Sequence, residues 1–598
     1  MTPETRPERT ADLLIHNARI TTLDPAQPAA SAIALADGQI LAVGSDDTVM
    51  RTRGPSTQVA DARGRTLIPG LIDSHMHFIR GGLNYNMELR WEGLTSLAEA
   101  MRRLREQVLR TPAPQWVRVV GGFSMFQFAE RRLPTLDELN AVAPETPVFI
   151  LHLYDRALLN RAALRAVGYT RDTPDFPDGV IERDRHGEPT GLLIAKPNAK
   201  ILYATLAAGP RLGFEDQLNS TRHFARELNR LGLTSVVDAG GGYFNYPDDY
   251  QAIEALERQG ELTLRIAYNL FPQRPRHELE DLRAWGQRVR PGQGSDFYCC
   301  NGAGEMLVFS AADFEDFAEP RPDLPLSMEE ELEAVVRHLL EQRWPFRLHA
   351  TYEETIRRAL TVFEKVDREI PFDGLRWCFD HAETISDQSI DRVAALGGGI
   401  AVQHRLAYQG EHFLSRYGKE VARRAPPVRQ MLRAGLPVGG GTDATRMSSY
   451  NPWAALAWLV TGRTVGGLEL NEAADRLTRE EALRLYTSSN GWFSGEQGRK
   501  GVLAAGCYGD LALLSDDYFS VPVERIAAIE SVLTVVGGRI VHAAQELGGL
   551  APPLPPASPS WSPQSPPSGG AAQAAAIARA LSRPARASFL GSCSCAVF

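Results

Sequence analysis

The sequence predicts an α/β protein: a (β/α)8 barrel of the TIM type, with a small composite β-sandwich from both chain ends and a large insertion after the first barrel strand. Three observations lead there. Eight apolar, β-rich runs alternate with helix-period segments. Short strands separated by turn formers occur near both ends. Five side chains of metal-ligand type stand at the ends of four of the eight runs, where a barrel of this kind carries its chemistry.

Composition permits this size of fold. Of 598 residues, 43% are hydrophobic and 23% charged, so a large core can be buried and wholesale disorder is excluded. Net charge is −9 and no window is rich in Lys and Arg, which argues against a nucleic-acid or anionic-membrane surface and leaves a small molecule as the expected partner. Six cysteines at irregular spacing do not make a disulfide framework. The opening MTPETRPERTADLLIHNARI lacks a secretory apolar core, and no stretch reaches the roughly 18 apolar residues of a spanning helix. A cytoplasmic protein is the expectation.

In chain order, apolar runs at 12–20, 32–35, 40–43 and 65–68 are separated by turn formers such as Asp24-Pro25, Asp37-Gly38 and Arg53-Gly54-Pro55. Similar strands return at 509–514, 531–536 and 539–542, with a hairpin signal at Gly537-Gly538. Segments 12–66 and 500–545 are therefore read as one sandwich. The barrel, 67–499, takes its strands from 67–77, 233–239, 264–270, 296–301, 346–350, 376–381, 399–404 and 437–443, with helices between them at 214–231, 328–343, 353–366 and 427–434. The gap 78–232 is too long for one crossover and holds strands of its own at 116–122 and 147–153, so it reads as an inserted subdomain beside the active end. From 546 to 598 the composition turns to Pro, Ser, Ala and Gly, the signature of a disordered tail.

The chemistry begins at PGLIDSHMH. Alternation along a strand puts His75 and His77 on one face, about 6.6 Å apart along the backbone, so both imidazoles can reach one cation. His349, His381 and Asp443 close the fifth, sixth and eighth runs. Any one of these alone reads as a core His or a loop Asp; together they form a set suited to Zn²⁺ or a similar divalent ion.

These residues resemble the amidohydrolase superfamily of metal-dependent hydrolases: PGLIDSHMH matches its first-strand motif, and His349, His381 and GGGTDA at 439–444 match its later ligands in order. The insertion, with its GEPTGLL at 187–193, is similar to the family 3 branch that includes N-substituted formamide deformylases. The resemblance covers about residues 12–545 and implies one or two divalent metals, with a bridging acidic group that is either a carboxylated Lys or a Glu. The fourth run holds neither. Lys196 sits near where that branch carries its bridging residue, so a carboxylated Lys196 is the expected bridge, an ordinary surface Lys being the alternative and Cys300 or Glu305 weaker substitutes. The branch's His before its Asn-Ser-x-Ala-Leu stretch is absent from Tyr154-Asp155-Arg156, which leaves the substrate class open; His152 reads as a core residue.

Gln403 and His404 end the seventh run at the same rim and are read as substrate or transition-state hydrogen-bonding groups, with Arg446 and Tyr154 as further substrate contacts. Asp380 and Glu383 flank His381, and one of them could orient it; Asp73 could orient His75. Aromatic walls are expected from Phe123, Phe126, Phe128 and Tyr154. The expected reaction is hydrolysis of an amide or formamide-type C–N bond by metal-activated hydroxide, with a metal or His404 at the oxyanion and Asp443 as general acid/base. A binding or regulatory protein without turnover and a metal-dependent isomerase are the competing readings, and association of copies through outer helices is left open.

Overall fold

The computed structural model describes residues 9–176, 179–196, 199–314, 316–318 and 323–565. Its centre is an eight-stranded parallel sheet. The strands are β1 (Leu71–Met76), β2 (Leu233–Asp238), β3 (Arg265–Leu270), β4 (Tyr298–Ala303), β5 (Phe346–Ala350), β6 (Trp377–His381), β7 (Gly399–Gln403) and β8 (Val438–Gly441), each paired with the next in chain order. The circle closes where the Asp443 N–H donates to the His75 carbonyl and the His77 N–H to the Ala444 carbonyl, both at 2.9 Å. Nearly every strand residue is buried, because helices cover the outside while side chains fill the inside. The helix Phe214–Arg230 shows how: Leu218, Thr221, Phe224, Ala225 and Leu228 recur at helical spacing and are buried, and Phe224 stacks on Phe78 with centroids 5.3 Å apart.

Strands from both chain ends make two further sheets. One is four-stranded, with Ala11–His16 between Ala32–Ala36 and Arg53–Asp61 and with Gln39–Gly44 at its edge. The other, six-stranded, pairs Thr66–Pro69 with Leu511–Leu514. Leu13, Ile15, Ile33, Leu67, Leu511 and Leu533 meet in one core. The run 67–77 thus divides, its first residues joining this sheet and Leu71–Met76 the barrel. A buried ion pair joins the two bodies: Arg265 at the start of β3 donates to both Asp510 oxygens, at 2.7 and 3.1 Å.

The insertion folds around its own six-stranded mixed sheet, in which Glu88–Leu89, Val117–Val120 and Val148–His152 run parallel and Arg156–Leu159, Pro189–Ala195 and Gly179–Arg183 follow antiparallel. Phe123 and Phe128 pack against Trp91 in the interior of this body, with centroids 5.2 and 6.1 Å away, and so do not form the expected substrate wall. His152 is likewise interior, its Nδ1 2.8 Å from Asp155. No helix among the described residues is long and apolar enough to cross a membrane.

The tail departs from expectation over 546–565, and the rest of it lies outside the described residues. Here the backbone is held by side chains of the main body: Asn219 donates to the Pro556 carbonyl and accepts from the Ser558 N–H, Asn86 donates to the Ser558 carbonyl, and Gln107 to the Trp561 carbonyl. A proline-rich strand cannot pair with itself, but its carbonyls are ready acceptors for amides already positioned on helices. Asn219→Ala is expected to cost about 1–3 kcal/mol, because it leaves buried donors unsatisfied. Chemical denaturation checks this, together with faster proteolysis around residues 551–565 in the variant.

Candidate metal centre

At the C-terminal end of the barrel the imidazoles of His75, His77, His349 and His381 surround the carboxylate of Glu305. Glu305 Oε2 lies 3.1 Å from His381 Nε2, 3.2 Å from His349 Nδ1 and 3.6 Å from His75 Nε2, and Oε1 lies 3.5 Å from His77 Nε2. Asp443 closes the other side, its Oδ1 3.1 Å from His77 Nε2 and 3.4 Å from His75 Nε2. All six residues are buried.

Each imidazole is turned by a partner on its far nitrogen. His77 Nδ1 donates to the Gly240 carbonyl at 2.6 Å, His381 Nδ1 to Gln403 Oε1, and His75 Nδ1 faces Asp380 Oδ1 at 2.9 Å. The Nε2 lone pairs of all three are thereby presented to the centre. His349 is mounted the other way, with Nε2 3.3 Å from Asp313 and Nδ1 inward. Burial, together with Arg405 and His349, pulls His381 down to about 3, so it is a neutral ligand. Burial works the same way on His75, yet Asp380 and Glu305 raise it to about 9, which marks a place where positive charge is favoured.

This donor set fits a divalent ion. Among the described residues every ion-pair partner of Glu305 is an imidazole, and His75 Nε2 has no hydrogen-bond partner although two carboxylates stand within 3.6 Å. A buried carboxylate ringed by imidazoles, with positive charge favoured at His75, suits a cation. Two overlapping triads have ligand atoms close enough to share one ion each, His75–His77–Asp443 and His75–Glu305–His381.

Local backbone makes the convergence possible. Gly439, Gly440 and Gly441 precede Asp443 because a Cβ at any of them would fall 2.4–2.7 Å from Asn490, Tyr486 or the His75 nitrogen. Gly304, at φ +112, lies against the Arg347 carbonyl, where a Cβ would come to 2.1 Å, and so delivers Glu305 to the centre. His381 and Asp443 both adopt positive φ, +83 and +55, a strained conformation for residues with side chains. Asp73 ties β1 to this turn by accepting from the His75 N–H and the Thr442 hydroxyl.

Several sequence expectations change here. Lys196 is exposed just past Pro189–Ala195 and belongs to neither triad; the acidic group that stands among the imidazoles is Glu305. The reason is length: β4 runs to Ala303, two residues beyond the apolar run at 296–301, so Glu305 stands at its mouth. Gln403 is spent on His381 and on the Ala401 carbonyl, which makes it a positioning residue and not a substrate contact. His404, one residue past the end of β7, turns away to stand edge-on to Tyr408 in a separate small cavity, where burial pushes it down to about 3. Its neighbour Arg405, unremarked in the sequence, returns to the site and holds Asp443 Oδ2 through Nε and Nη2 at 3.0 and 2.7 Å. Asp380 orients His75 instead of its neighbour His381, while Glu383 lies 3.9 Å from Arg405.

Above the centre opens a cavity of about 470 Å³, lined by His77, Glu305, His349, Arg405 and Asp443 on its floor and by Tyr154, Tyr203, Tyr243, Phe271, Phe309 and Phe314 on its walls. Tyr154 is thus brought to the site. Arg446 lines an adjoining cavity, its guanidinium 4.4 Å from the Tyr203 ring centroid.

Elemental analysis of protein purified without chelator is expected to find metal retained in Lys196→Ala and lost in Glu305→Gln. Gln403→Leu, which frees the His381 ring, is expected to weaken metal affinity by about 10–100-fold in a chelator competition titration.

A family model described as "Amidohydrolase family" matches residues 58–542. N-substituted formamide deformylase of Arthrobacter pascens is 26% identical over 568 residues, covering 88% of this chain and 97% of the relative. Among solved structures, an uncharacterized metal-dependent hydrolase from Pyrococcus horikoshii OT3 aligns with a TM-score of 0.63 at 21% identity over 86% of this chain and 99% of that one. Atrazine chlorohydrolase TrzN from Arthrobacter aurescens TC1, complexed with zinc, aligns at 0.51 and 17% over 91% and 97%. At such identities the structures speak for the shared barrel, while the family match spans most of the sequence and all of the residues gathered at its mouth. The chain belongs to the amidohydrolase family of metal-dependent hydrolases.

Proposed function

We propose that the protein hydrolyses a C–N bond of amide or formamide type in a small organic substrate, using one or two divalent ions, with Zn²⁺ the best match to an imidazole and carboxylate donor set. The observation that carries this reading is the convergence of four imidazole nitrogens, Glu305 and Asp443 on the floor of a cavity of about 470 Å³, within the usual size range of a small-molecule site. His75, His77, His349, His381, Glu305 and Asp443 would hold the metal. The chemistry such an ion would supply there is a water acidified toward pKa 7, and so hydroxide at neutral pH.

The chain's own groups do the rest. Arg405 holds Asp443 ionised against the upward push of burial, keeping its carboxyl well below the ordinary range. Its Oδ2 is tied back to Arg405 while Oδ1 faces His77 and His75, and in this reading Oδ1 takes the proton of the attacking water and returns it to the leaving nitrogen. Arg405 also lines the cavity and puts a fixed positive charge beside the carbonyl oxygen as it becomes anionic, the role first assigned to His404. The aromatic walls exclude water and receive an apolar substrate body.

The reading is supported by the formamide deformylase relative, whose named activity is of this class. Metal-loaded protein is expected to release amine from a panel of N-formyl and N-acyl compounds, and Asp443→Asn to lower kcat by about 10²–10⁴ while the fold persists. No amine from any member would favour a binding protein. Near-normal kcat in the variant would remove Asp443 from proton transfer.

A further inference from the structure

Tyr203 and Tyr243 line the cavity above the metal centre and also a second one, of about 60 Å³, to which Arg118, Arg211 and Arg446 contribute. Arg118 stands on the insertion strand Val117–Val120 and Arg446 on the turn after β8, and they are 5% and 7% exposed. Among the described residues neither forms an ion pair. Arg118 donates only to the Pro210 carbonyl, through Nη2, in room left by Gly209, where a Cβ would fall 2.7 Å from that nitrogen. Arg446 donates no hydrogen bond to any described residue, and its guanidinium rests 4.4 Å from the Tyr203 ring centroid. Nε and Nη2 of the neighbouring Arg80 are sealed from solvent, whereas no unpartnered nitrogen of Arg118 or Arg446 is. Arg211 is exposed.

A buried arginine ordinarily meets a carboxylate, and Arg90, Arg265, Arg347 and Arg405 do so here, on Glu88, Asp510, Asp380 and Asp443. The natural partner of Arg118 is Glu88, its neighbour across a parallel pair of strands, but Glu88 is taken by Arg90. Asp249, the other carboxylate at this cavity, accepts from the Asn245 N–H. Burial pulls Arg118 down to about 10 against the opposing pull of Glu88, and Arg446 and Arg211 act in the same direction as burial. Burial and Arg80 likewise lower Arg446. Both guanidinium groups keep their charge at neutral pH. Counting Arg90, four guanidinium groups stand against two carboxylates, an excess of two positive charges. The cavity is larger than one water needs and too small for an aromatic body, and a tetrahedral oxyanion suits both its size and its charge.

We propose that this second cavity is a binding site for a phosphate dianion, held by the guanidinium groups of Arg118 and Arg446 with Arg211 as a third charge. Guanidinium forks match phosphate oxygens and make paired, charge-assisted hydrogen bonds to them. A dianion cancels the excess charge, where a carboxylate cancels half of it. Two sources share this chemistry: free inorganic phosphate, and a phosphate group on a substrate whose other end lies in the metal cavity beyond Tyr203. The site is separate from the metal centre and does not depend on the amide-hydrolase reading.

Measurements on metal-loaded protein decide it. In calorimetric titration sodium phosphate is expected to bind about tenfold or more tightly than sodium acetate at equal ionic strength, and Arg118→Met and Arg446→Met each to weaken phosphate by about tenfold or more with metal content preserved. Absence of binding, equal binding of acetate, or phosphate binding unchanged in both variants, as an ion seated only on the metal would give, would overturn the proposal. Loss of a buried arginine can disturb folding, so the unaltered protein supplies a second arm. Crystals soaked in arsenate are expected to show an anomalous peak at the arsenic edge between Arg118 and Arg446, and a peak at the metal centre alone would overturn the proposal. Kinetics then separates the sources. A kcat/KM about tenfold or more higher for N-formyl-2-aminoethyl phosphate than for N-formyl-2-aminoethanol, lost in both variants, would support the site as one for a substrate's phosphate. Equal values beside a positive titration would support it as one for the free ion. Failure to release amine from either compound would count against the amide-hydrolase reading, and the titration and the crystals would still decide the phosphate site.

Discussion

Glu305 is a buried carboxylate whose ion-pair partners among the described residues are all imidazoles, and such a charge persists only where positive charge joins it. Much of the barrel's mouth is built to hold that imbalance in place. Asp380, Gly240 and Gln403 take the outward nitrogens of His75, His77 and His381, so the inward ones converge on Glu305 and Asp443, where a cation would meet them. Arg347 in turn fixes Asp380, and Arg405 fixes Asp443, so the charges around the centre are clamped from outside. The positive φ at His381 and Asp443 and the glycines packed against β1 show the backbone yielding to the same requirement.

Barrel strand ends supply the candidate metal floor, and the insertion and the loops supply the cavity walls. The insertion brings Tyr154, and the segment that leads back to the barrel brings Lys200 and Tyr203. The loops after β2, β3 and β4 bring Tyr243, Phe271 and Phe309. In the proposed reading, reaction type and substrate choice are carried by different parts of the chain, which is how one scaffold serves many hydrolytic reactions. Among the described residues the cavity lining takes none from the composite sheets, which brace the opposite end of β3 through Arg265 and Asp510.

Much of this was legible in the sequence, and the rest was hidden for physical reasons. His75, His77, His349, His381 and Asp443 could be placed because strand ends share one rim of a barrel and a strand's alternation puts His75 and His77 on one face. Glu305 ranked below Lys196 because Gly302 ends the apolar pattern without ending the strand, which runs on to Ala303. With β4 cut short, the search for an acidic bridge moved to Lys196 in the insertion, where no spacing rule relates it to the barrel. Gln403, His404 and Arg405 are consecutive and polar, and periodicity does not say which of them faces inward once the strand has ended; the structure sends one to a ligand, one to a side cavity and one to the site. Phe123 and Phe128 were aromatic and near the mouth in sequence, but the insertion is large enough to need a core of its own.

The most direct measurement is an anomalous-diffraction map of metal-loaded crystals collected at the metal edge. It should place the ion or ions between Glu305, Asp443 and the inward nitrogens of His75, His77, His349 and His381, at the roughly 2.0–2.2 Å expected of such ligands. A peak at Lys196, or metal bound with Glu305 outside its coordination sphere, would contradict the arrangement described.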